Sequence, residues 1–300
     1  MTEGLVNEIR SGNPKALARA ISIIENETDG FEQLLLATNR GQKSQIIGLT
    51  GPPGAGKSTL ADSLIGEWLS QQKKIAVLCV DPSSPFNLGS ILGDRIRLSQ
   101  WYTNPNVFIR SLATRGAMGG LNPKIIEITH LLQASNFDRI IIETVGVGQS
   151  EIEIAGLADV VVVALVPESG DEVQTMKAGV MEIADVFVVN KADRPNADLF
   201  VKNLELMLAP AFRAHENEIP ILKTIATSGE GIPEFARTID KLLNESHSNE
   251  KHLWLLTERA FQLIQKKRMQ DVDKSDLKKK LEQDYRATDF NLYSFVKKFE

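Results

Sequence analysis

The stretch Gly51-Pro-Pro-Gly-Ala-Gly-Lys57-Ser58 decides the fold of this chain, because it follows the pattern G-x-x-x-x-G-K-[ST]. The apolar run Gln45–Thr50 before it predicts a buried strand. The residues after it place Leu60, Leu64 and Trp68 at helical spacing. Backbone N–H groups of a glycine loop and of a helix N-terminus can together surround a phosphate. The stretch therefore predicts a site for a nucleoside triphosphate.

The predicted phosphate-binding residues form one continuous segment. They are Gly51, Pro52, Pro53, Gly54, Ala55, Gly56, Lys57, Ser58 and Thr59. Lys57 can place a positive charge on the β- and γ-phosphates, and the Ser58 hydroxyl can ligate Mg²⁺. We expect the Lys57 side chain to face solvent when no nucleotide is bound.

Composition excludes several classes of protein. The 300 residues carry a net charge of −5. Proteins that bind nucleic acid usually carry a basic surface, so we do not expect nucleic acid as a partner. No apolar run reaches the ~20 residues of a membrane span, and Glu3 and Glu8 interrupt the place of a signal peptide. Cys79 is the one cysteine and there are four histidines, which argues against a disulfide framework and a structural metal site. We expect a cytoplasmic protein.

Apolar runs alternate with helical patterns from residue 44 to 245, and this predicts an α/β fold with a doubly wound, mostly parallel sheet. The predicted strands are Gln45–Thr50, Ile75–Val80, Val107–Ser111, Arg139–Glu143, Val160–Val166, Val186–Asn190 and Ile221–Ala226. Residues 1–43 predict an N-terminal helical extension of two amphipathic helices, and Asn13-Pro14 marks the start of the first of them. Residues 246–300 predict a C-terminal arm made only of helices.

Two segments predict that the base is guanine. Asn190-Lys191-Ala192-Asp193 follows a strand and matches N-K-x-D, and the Asp193 carboxylate can accept hydrogen bonds from guanine N1–H and its 2-amino group. Adenine would leave that carboxylate unpaired, which is costly in a buried site. The segment Thr224-Ile225-Ala226 lies where a second loop can approach the base, and the Ala226 N–H can meet the guanine carbonyl oxygen.

Carboxylates at strand ends provide the oxygen ligands that Mg²⁺ prefers. Asp81 closes the second strand, and Glu143 closes a later one at the place of a Walker B acid. Gly146 and Gly148 predict a loop that responds to the γ-phosphate. Small GTPases place a water-positioning glutamine directly after the corresponding glycine, whereas this chain has Val147 there and Gln149 two residues later. We therefore expect slow intrinsic hydrolysis of GTP.

Four longer segments resemble the MeaB/ArgK/MMAA GTPases. They are Val80-Asp-Pro-Ser-Ser-Pro85, Leu92-Gly-Asp-Arg-Ile-Arg97, Arg110-Ser-Leu-Ala-Thr-Arg-Gly-Ala-Met-Gly-Gly120 and Glu143-Thr-Val-Gly-Val-Gly-Gln-Ser-Glu151. Residues 170–179 look like the family's additional mobile loop, and the helical tail looks like its dimerisation arm.

The resemblance implies a SIMIBI-like P-loop GTPase that binds GTP or GDP and forms a homodimer. It implies that Asp81 and Asp94 approach Mg²⁺ together with Ser58, and that Glu143 orders the waters of the ion. The implied partner is adenosylcobalamin-dependent methylmalonyl-CoA mutase, whose cofactor loading or protection such a chaperone assists.

Candidates for charge stabilisation during phosphoryl transfer are Lys57, Arg97 and Lys177, with Glu143 as a further catalytic residue. Two alternatives remain open. A nickel-type metallochaperone GTPase would need Cys or His ligands near the nucleotide. A P-loop kinase linked to amino-acid transport would phosphorylate a small substrate and would not need guanine specificity.

Overall fold

The computed structural model describes residues 2–38, 44–81, 98–115, 121–146, 151–168, 183–212, 219–245, 250–269, 271–285 and 290–299. Arg97, Asp94 and Lys177, for which the sequence predicts a role in catalysis or metal binding, lie outside these residues. The chain divides into two compact units, Met1–His252 and Leu253–Glu300. The nucleotide-binding segments all belong to the first unit.

The first unit is built on one sheet of seven parallel strands in the order β3-β2-β4-β1-β5-β6-β7. The strands are β1 (Gln45–Thr50), β2 (Ile75–Asp81), β3 (Val107–Ala113), β4 (Arg139–Glu143), β5 (Val160–Leu165), β6 (Val186–Asn190) and β7 (Ile221–Thr224). All seven predicted strands are confirmed, with ends that differ by at most two residues. The predicted α/β fold class is therefore confirmed.

Central strand β1 lies between β4 and β5, with Gln45 opposite Arg139 and Ile47 opposite Val160. Its residues from Ile46 onward are buried, as are all residues of β2, β5 and β6. Helices cover both faces of such a sheet, which explains why these strands are apolar without alternation. The largest fully buried side chains of this core include Trp68, Phe187 and Phe235.

Helices connect the strands and extend the chain at both ends. They are α1 (Thr2–Arg10), α2 (Pro14–Glu25), α3 (Phe31–Ala37), α4 (Lys57–Ser70), α5 (Ile125–Gln133), α6 (Glu151–Leu157), α7 (Ala197–Phe212), α8 (Ile232–Asn244), α9 (Glu250–Arg268), α10 (Lys274–Asp284) and α11 (Leu292–Val296). Short 3₁₀ turns span Ser99–Trp101 and Lys297–Phe299.

The N-terminal helices belong to the first unit and number three among the described residues, where the sequence predicted two. Asn13 caps α2, and its side-chain oxygen accepts hydrogen bonds from the N–H groups of Lys15 and Ala16, as the Asn13-Pro14 signal predicts. Helix α1 was missed because its only large buried residues are Val6 and Ile9, too few for a clear apolar face.

An ionic cluster joins α2 to the sheet. Glu25 at the end of α2 accepts a hydrogen bond from Arg110 of β3 at 3.0 Å, and its side chain is 8% exposed. Arg115 donates to the Glu25 carbonyl oxygen at 2.9 Å. The N-terminal helices therefore pack on the nucleotide-binding part of the first unit.

In the second unit, the ring centroid of Phe295 lies 6.4 Å from that of Phe290 and 5.3 Å from that of Phe299. Asp273 caps α10 by accepting hydrogen bonds from the N–H groups of Ser275 and Asp276. Across the described ranges, none of the helices combines the length and the apolar character that crossing a bilayer requires.

Candidate nucleotide-binding site

The loop Gly51–Ser58 joins the end of β1 to the start of α4. Gly51 has φ +133°, and a Cβ atom there would lie 2.1 Å from the Ala164 carbonyl oxygen of β5. Gly56 has φ +87°, and a Cβ atom there would lie 2.3 Å from Asn190 Nδ2. Both positions require glycine, because the backbone conformation and the space each exclude a side chain. The loop is thereby packed closely against residues of β5 and β6.

Lys57 is held by its own loop. Its ammonium group donates to the carbonyl oxygens of Gly51 at 2.8 Å and of Pro52 at 3.1 Å, and the residue is only 7% exposed. The expectation that this side chain faces solvent is wrong, because the carbonyl groups of the tight loop provide acceptors within reach. The positive charge of Lys57 nevertheless lies at the phosphate loop.

Ser58 and Glu143 form the acidic side of the site. The Ser58 hydroxyl donates to Glu143 Oε1 at 2.7 Å, and the two residues are 3% and 5% exposed. Asp81 is also buried, and it lies two residues beyond Cys79, which is the neighbour of Glu143 across β2 and β4. The structure therefore brings three predicted magnesium residues to the carboxyl ends of adjacent strands.

These residues fit a magnesium ion. They offer hydroxyl and carboxylate oxygens, which are the donors Mg²⁺ prefers, and Mg²⁺ commonly uses one or two carboxylates together with waters and substrate phosphates. Among the described residues no group of three or more His, Cys, Asp and Glu side chains is arranged to hold a metal ion. A dedicated cage of soft ligands is thus not found in that part of the chain, whereas the Ser58–Glu143 pair suits a phosphate-bound Mg²⁺.

The segment after Glu143 lies against the phosphate loop. Gly146 has φ +86°, and a Cβ atom there would lie 2.1 Å from the Gly51 carbonyl oxygen and 2.8 Å from Lys57 Nζ. Thr144 fixes the start of this segment by donating from its N–H to Leu49 O at 3.0 Å. A movement of Gly146 must therefore change the surroundings of the Lys57 ammonium group. Val147 and Gln149 lie outside the described residues.

Asn190 connects the phosphate loop to the predicted base loop. Its Nδ2 donates to the Ala55 carbonyl oxygen at 3.0 Å, while its Oδ1 accepts from Thr224 Oγ1 at 3.2 Å and from the Ala226 N–H at 3.1 Å. Asn190 is 2% exposed, so all these bonds are shielded from water. Lys191 adds a second link, since its Nζ donates to Gly54 O at 2.7 Å.

The other predicted base-binding residues surround Asn190. Asp193 is exposed, three residues beyond the end of β6, and the Ala192 N–H donates to Thr224 O at 3.0 Å. Ile225 forms a bridge with Glu230 that closes the loop after β7. The Ala226 N–H, predicted to meet a guanine oxygen, donates to Asn190 in this structure. The role of Asp193 and of Ala226 toward a base remains a prediction.

Some contacts of the site were not predicted from the sequence. The Ser63 hydroxyl of α4 lies 3.0 Å from the Ala226 carbonyl oxygen. Asp62, its neighbour, accepts from Trp101 Nε1 at 2.6 Å. The serine and the aspartate occur at ordinary helix positions, so no local signal distinguishes them from solvated residues.

An ion pair follows the guanine motif. Arg194 donates to Glu168 Oε1 at 2.6 Å. That hydrogen bond, first of all, lowers the pKa of the Glu168 carboxyl below its ordinary value. Both side chains are about half exposed, so we expect the pair to contribute little to stability.

Three features define the class of this protein. The phosphate loop follows β1, Glu143 at the end of β4 bonds Ser58 of that loop, and an N-K-x-D segment begins at the end of β6. Together they define a P-loop GTPase. A family model described as methylmalonyl-CoA mutase-associated GTPase MeaB matches residues 17–281. The chain belongs to this family, and it is a GTPase.

Individual relatives agree with this assignment. A protein of Pyrococcus horikoshii named as a GTPase is 44% identical over 253 residues, which cover 81% of this chain and 78% of that protein. The mouse protein named methylmalonic aciduria type A homolog, mitochondrial, is 36% identical over 251 residues, covering 76% of this chain and 60% of the mouse protein. The crystal structure of a LAO/AO transport system kinase superposes with a TM-score of 0.69 at 24% identity and covers 98% of this chain and 95% of that one, which supports the fold.

Proposed function

We propose that this chain is a GTP-hydrolysing chaperone that assists the loading or protection of the cofactor of adenosylcobalamin-dependent methylmalonyl-CoA mutase. Membership of the family described as mutase-associated carries the proposal. The similarity to the mouse protein named for methylmalonic aciduria supports it. A chaperone of this kind needs a surface whose conformation depends on the bound nucleotide. The contact of Gly146 with both Gly51 and Lys57 supports such a coupling, because it places a switch segment against the phosphate loop.

Magnesium is part of the proposal. Ser58 would ligate the ion directly, Asp81 and Asp94 would approach it, and Glu143 would order its waters. The bound ion would neutralise negative charge on the β- and γ-phosphates. The residues of the chain orient this arrangement, since the bond from Ser58 to Glu143 keeps the hydroxyl at the base of the phosphate loop.

We also propose that hydrolysis is slow in the isolated protein and that a partner accelerates it. Lys57 supplies one positive charge, and Arg97 or Lys177 would supply a second one to the γ-phosphate oxygens. Lys177→Ala should then leave basal hydrolysis nearly unchanged and abolish stimulation by the mutase. A variant that the mutase still stimulates fully would remove Lys177 from the mechanism.

The proposal includes a homodimer formed in the cytoplasm. In the second unit large apolar side chains are exposed, among them Trp254, Phe261, Ile264 and Tyr293. Exposed apolar surface of this kind is typical of interfaces. A protein that ends at Asn244 should sediment as a monomer, whereas a truncated protein that is still a dimer would place the interface elsewhere.

The decisive experiment uses the full chain, purified apo-mutase and adenosylcobalamin. We expect the chain to co-elute with the mutase and to change the rate at which holo-mutase forms, with different rates in GDP and in a non-hydrolysable GTP analogue. The matched control is Lys57→Ala, which should bind the mutase without responding to nucleotide. Absence of a complex in both nucleotide states would refute the proposal. Phosphorylation of an amino acid in a substrate panel, or tight nickel binding, would favour one of the two alternatives.

A further inference from the structure

We infer that Ser63 is a positioning residue for guanine recognition, because it holds the loop that follows β7 in place from helix α4. Its hydroxyl lies 3.0 Å from the carbonyl oxygens of both Ala226 and Thr59. Thr59 O lies four residues earlier in the same helix, where it already has the backbone N–H of Ser63 as its helical donor. The hydroxyl of Ser63 is therefore available to the Ala226 carbonyl, 163 residues away in the sequence.

The two sides of Ala226 are held by different elements. Its N–H donates to Asn190 Oδ1 of β6 at 3.1 Å, and its carbonyl oxygen accepts from Ser63 of α4 at 3.0 Å. The residue is 7% exposed. The N–H and the carbonyl oxygen of Ala226 belong to two different planar peptide groups, so these two bonds anchor both peptide groups next to the residue. Ser63 thereby ties the Ala226 end of the loop to helix α4.

The loop closes on itself but does not fix its own position relative to the phosphate loop. Its internal bonds run from the N–H groups of Ser228 and Gly229 to Ile225 O, and from the Ile225 N–H to Glu230 O. These bonds close the turn on itself without involving the N–H or the carbonyl oxygen of Ala226. The orientation of Ala226 relative to the phosphate loop comes from Asn190, which also bonds Ala55, and from Ser63, which belongs to the helix that Lys57 begins.

The inference rests on the predicted contact between the Ala226 N–H and the 6-oxo group of guanine. When the base is bound, that N–H must exchange Asn190 Oδ1 for the guanine oxygen, and the Ser63 bond keeps the loop anchored to α4 during the exchange. Without the hydroxyl the loop can adopt more orientations, and binding then has to restrict them. The loss should appear only for bases that carry a 6-oxo group.

The test compares three nucleotides in calorimetric titrations of the full chain. GTP and ITP both carry the 6-oxo group, whereas 2-aminopurine riboside triphosphate lacks it. For Ser63→Ala we expect about a fivefold weaker affinity for GTP and ITP, as for one lost hydrogen bond, and less than a twofold change for the third nucleotide. Ser63→Thr should restore the wild-type values, since threonine in a helix can place its hydroxyl near the carbonyl oxygen four residues earlier.

Ser70→Ala is the matched control, because Ser70 lies at the end of the same helix and its hydroxyl bonds only the nearby Glu67 O in the described structure. Equal losses for all three nucleotides in Ser63→Ala, or no loss at all, would overturn the inference. A wild-type protein that binds GTP and the 2-aminopurine nucleotide equally well would overturn it too, because Ser63 would then have no 6-oxo contact to support. These outcomes do not test the mutase proposal, which the co-elution experiment tests separately.

Discussion

Gly56→Ala should destabilise the protein more than the same substitution at Gly54, although both glycines have nearly the same backbone conformation. The φ angles are +87° at Gly56 and +81° at Gly54. An L-residue in this left-handed region costs roughly 1–2 kcal/mol at either position. A Cβ atom at Gly54 would meet nothing within 4 Å, whereas at Gly56 it would lie 2.3 Å from Asn190 Nδ2.

The additional cost at Gly56 follows from the surroundings of Asn190. The amide cannot rotate away without breaking its bond to Ala55 O at 3.0 Å, and it is 2% exposed, so water cannot replace that bond. A buried polar group left without its partner costs about 1–3 kcal/mol. We therefore expect Gly56→Ala to lose about 1–3 kcal/mol more stability than Gly54→Ala. For a unit of this size the difference corresponds to about 2–12 °C in Tm.

Reversible urea unfolding of the nucleotide-free protein measures this difference, and a double-mutant cycle assigns it. In an Asn190→Ala background the Cβ atom added at residue 56 no longer meets the amide of residue 190. Gly56→Ala should then lower the stability no more than Gly54→Ala does in the same background. Losses that agree within about 0.5 kcal/mol in the wild-type background would refute the reasoning. An extra loss at Gly56 that persists without the Asn190 amide would refute it as well.

Three further substitutions test the site. Asp193→Asn should weaken GTP binding and favour xanthosine triphosphate, since an amide exchanges one acceptor for a donor; unchanged base preference in competition titrations would exclude Asp193 from base recognition. Lys57→Ala should weaken GTP binding about 10–100-fold, as expected for lost bonds to a charged group, while a circular dichroism spectrum shows the fold retained; an unfolded protein would indicate a structural role for the bonds to Gly51 and Pro52. Arg194→Gln should raise the pKa of Glu168 toward its ordinary value. Because the pKa of Glu168 is lowered in the folded state, the stabilising effect of the pair is present above the ordinary pKa and is lost as the pH falls through the lowered pKa. An NMR titration of Glu168 that is identical in the wild type and in Arg194→Gln would contradict this expectation.

The sequence was sufficient to predict the fold because its signals are local. Each strand is a short apolar run, and the phosphate loop stands at the one junction where strand, glycines and helix follow directly. The residues at strand ends, such as Glu143 and Asn190, were predicted as site residues since parallel strands bring their carboxyl ends to one edge. The structure brings Glu143 to Ser58 and Asn190 to the phosphate loop.

The contacts that orient these residues could not be predicted, because they depend on packing between distant parts of the chain. Asn190 and Ala55 are 135 residues apart, and Ser63 and Ala226 are 163 residues apart. The burial of Lys57 was also missed. A lysine carries a charge that favours water, and only the geometry of the closed loop shows that two carbonyl oxygens lie within its reach.

The strand order explains how one site can combine two kinds of recognition. Because β1 lies at the centre, the phosphate loop has β4 on one side, which ends at Glu143, and β5 and then β6 on the other, where β6 ends at Asn190. The predicted oxygen ligands for a metal thus lie on one side of the loop and the predicted base-binding residues on the other. The two glycines that allow close approach divide in the same way: Gly146 meets Gly51 and Lys57 from the acidic side, and Gly56 meets Asn190 from the base side. We expect a change in the γ-phosphate to reach Gly146 through Lys57 without passing through the base loop. This arrangement would let the protein keep guanine bound through hydrolysis while the acidic side of the site changes conformation.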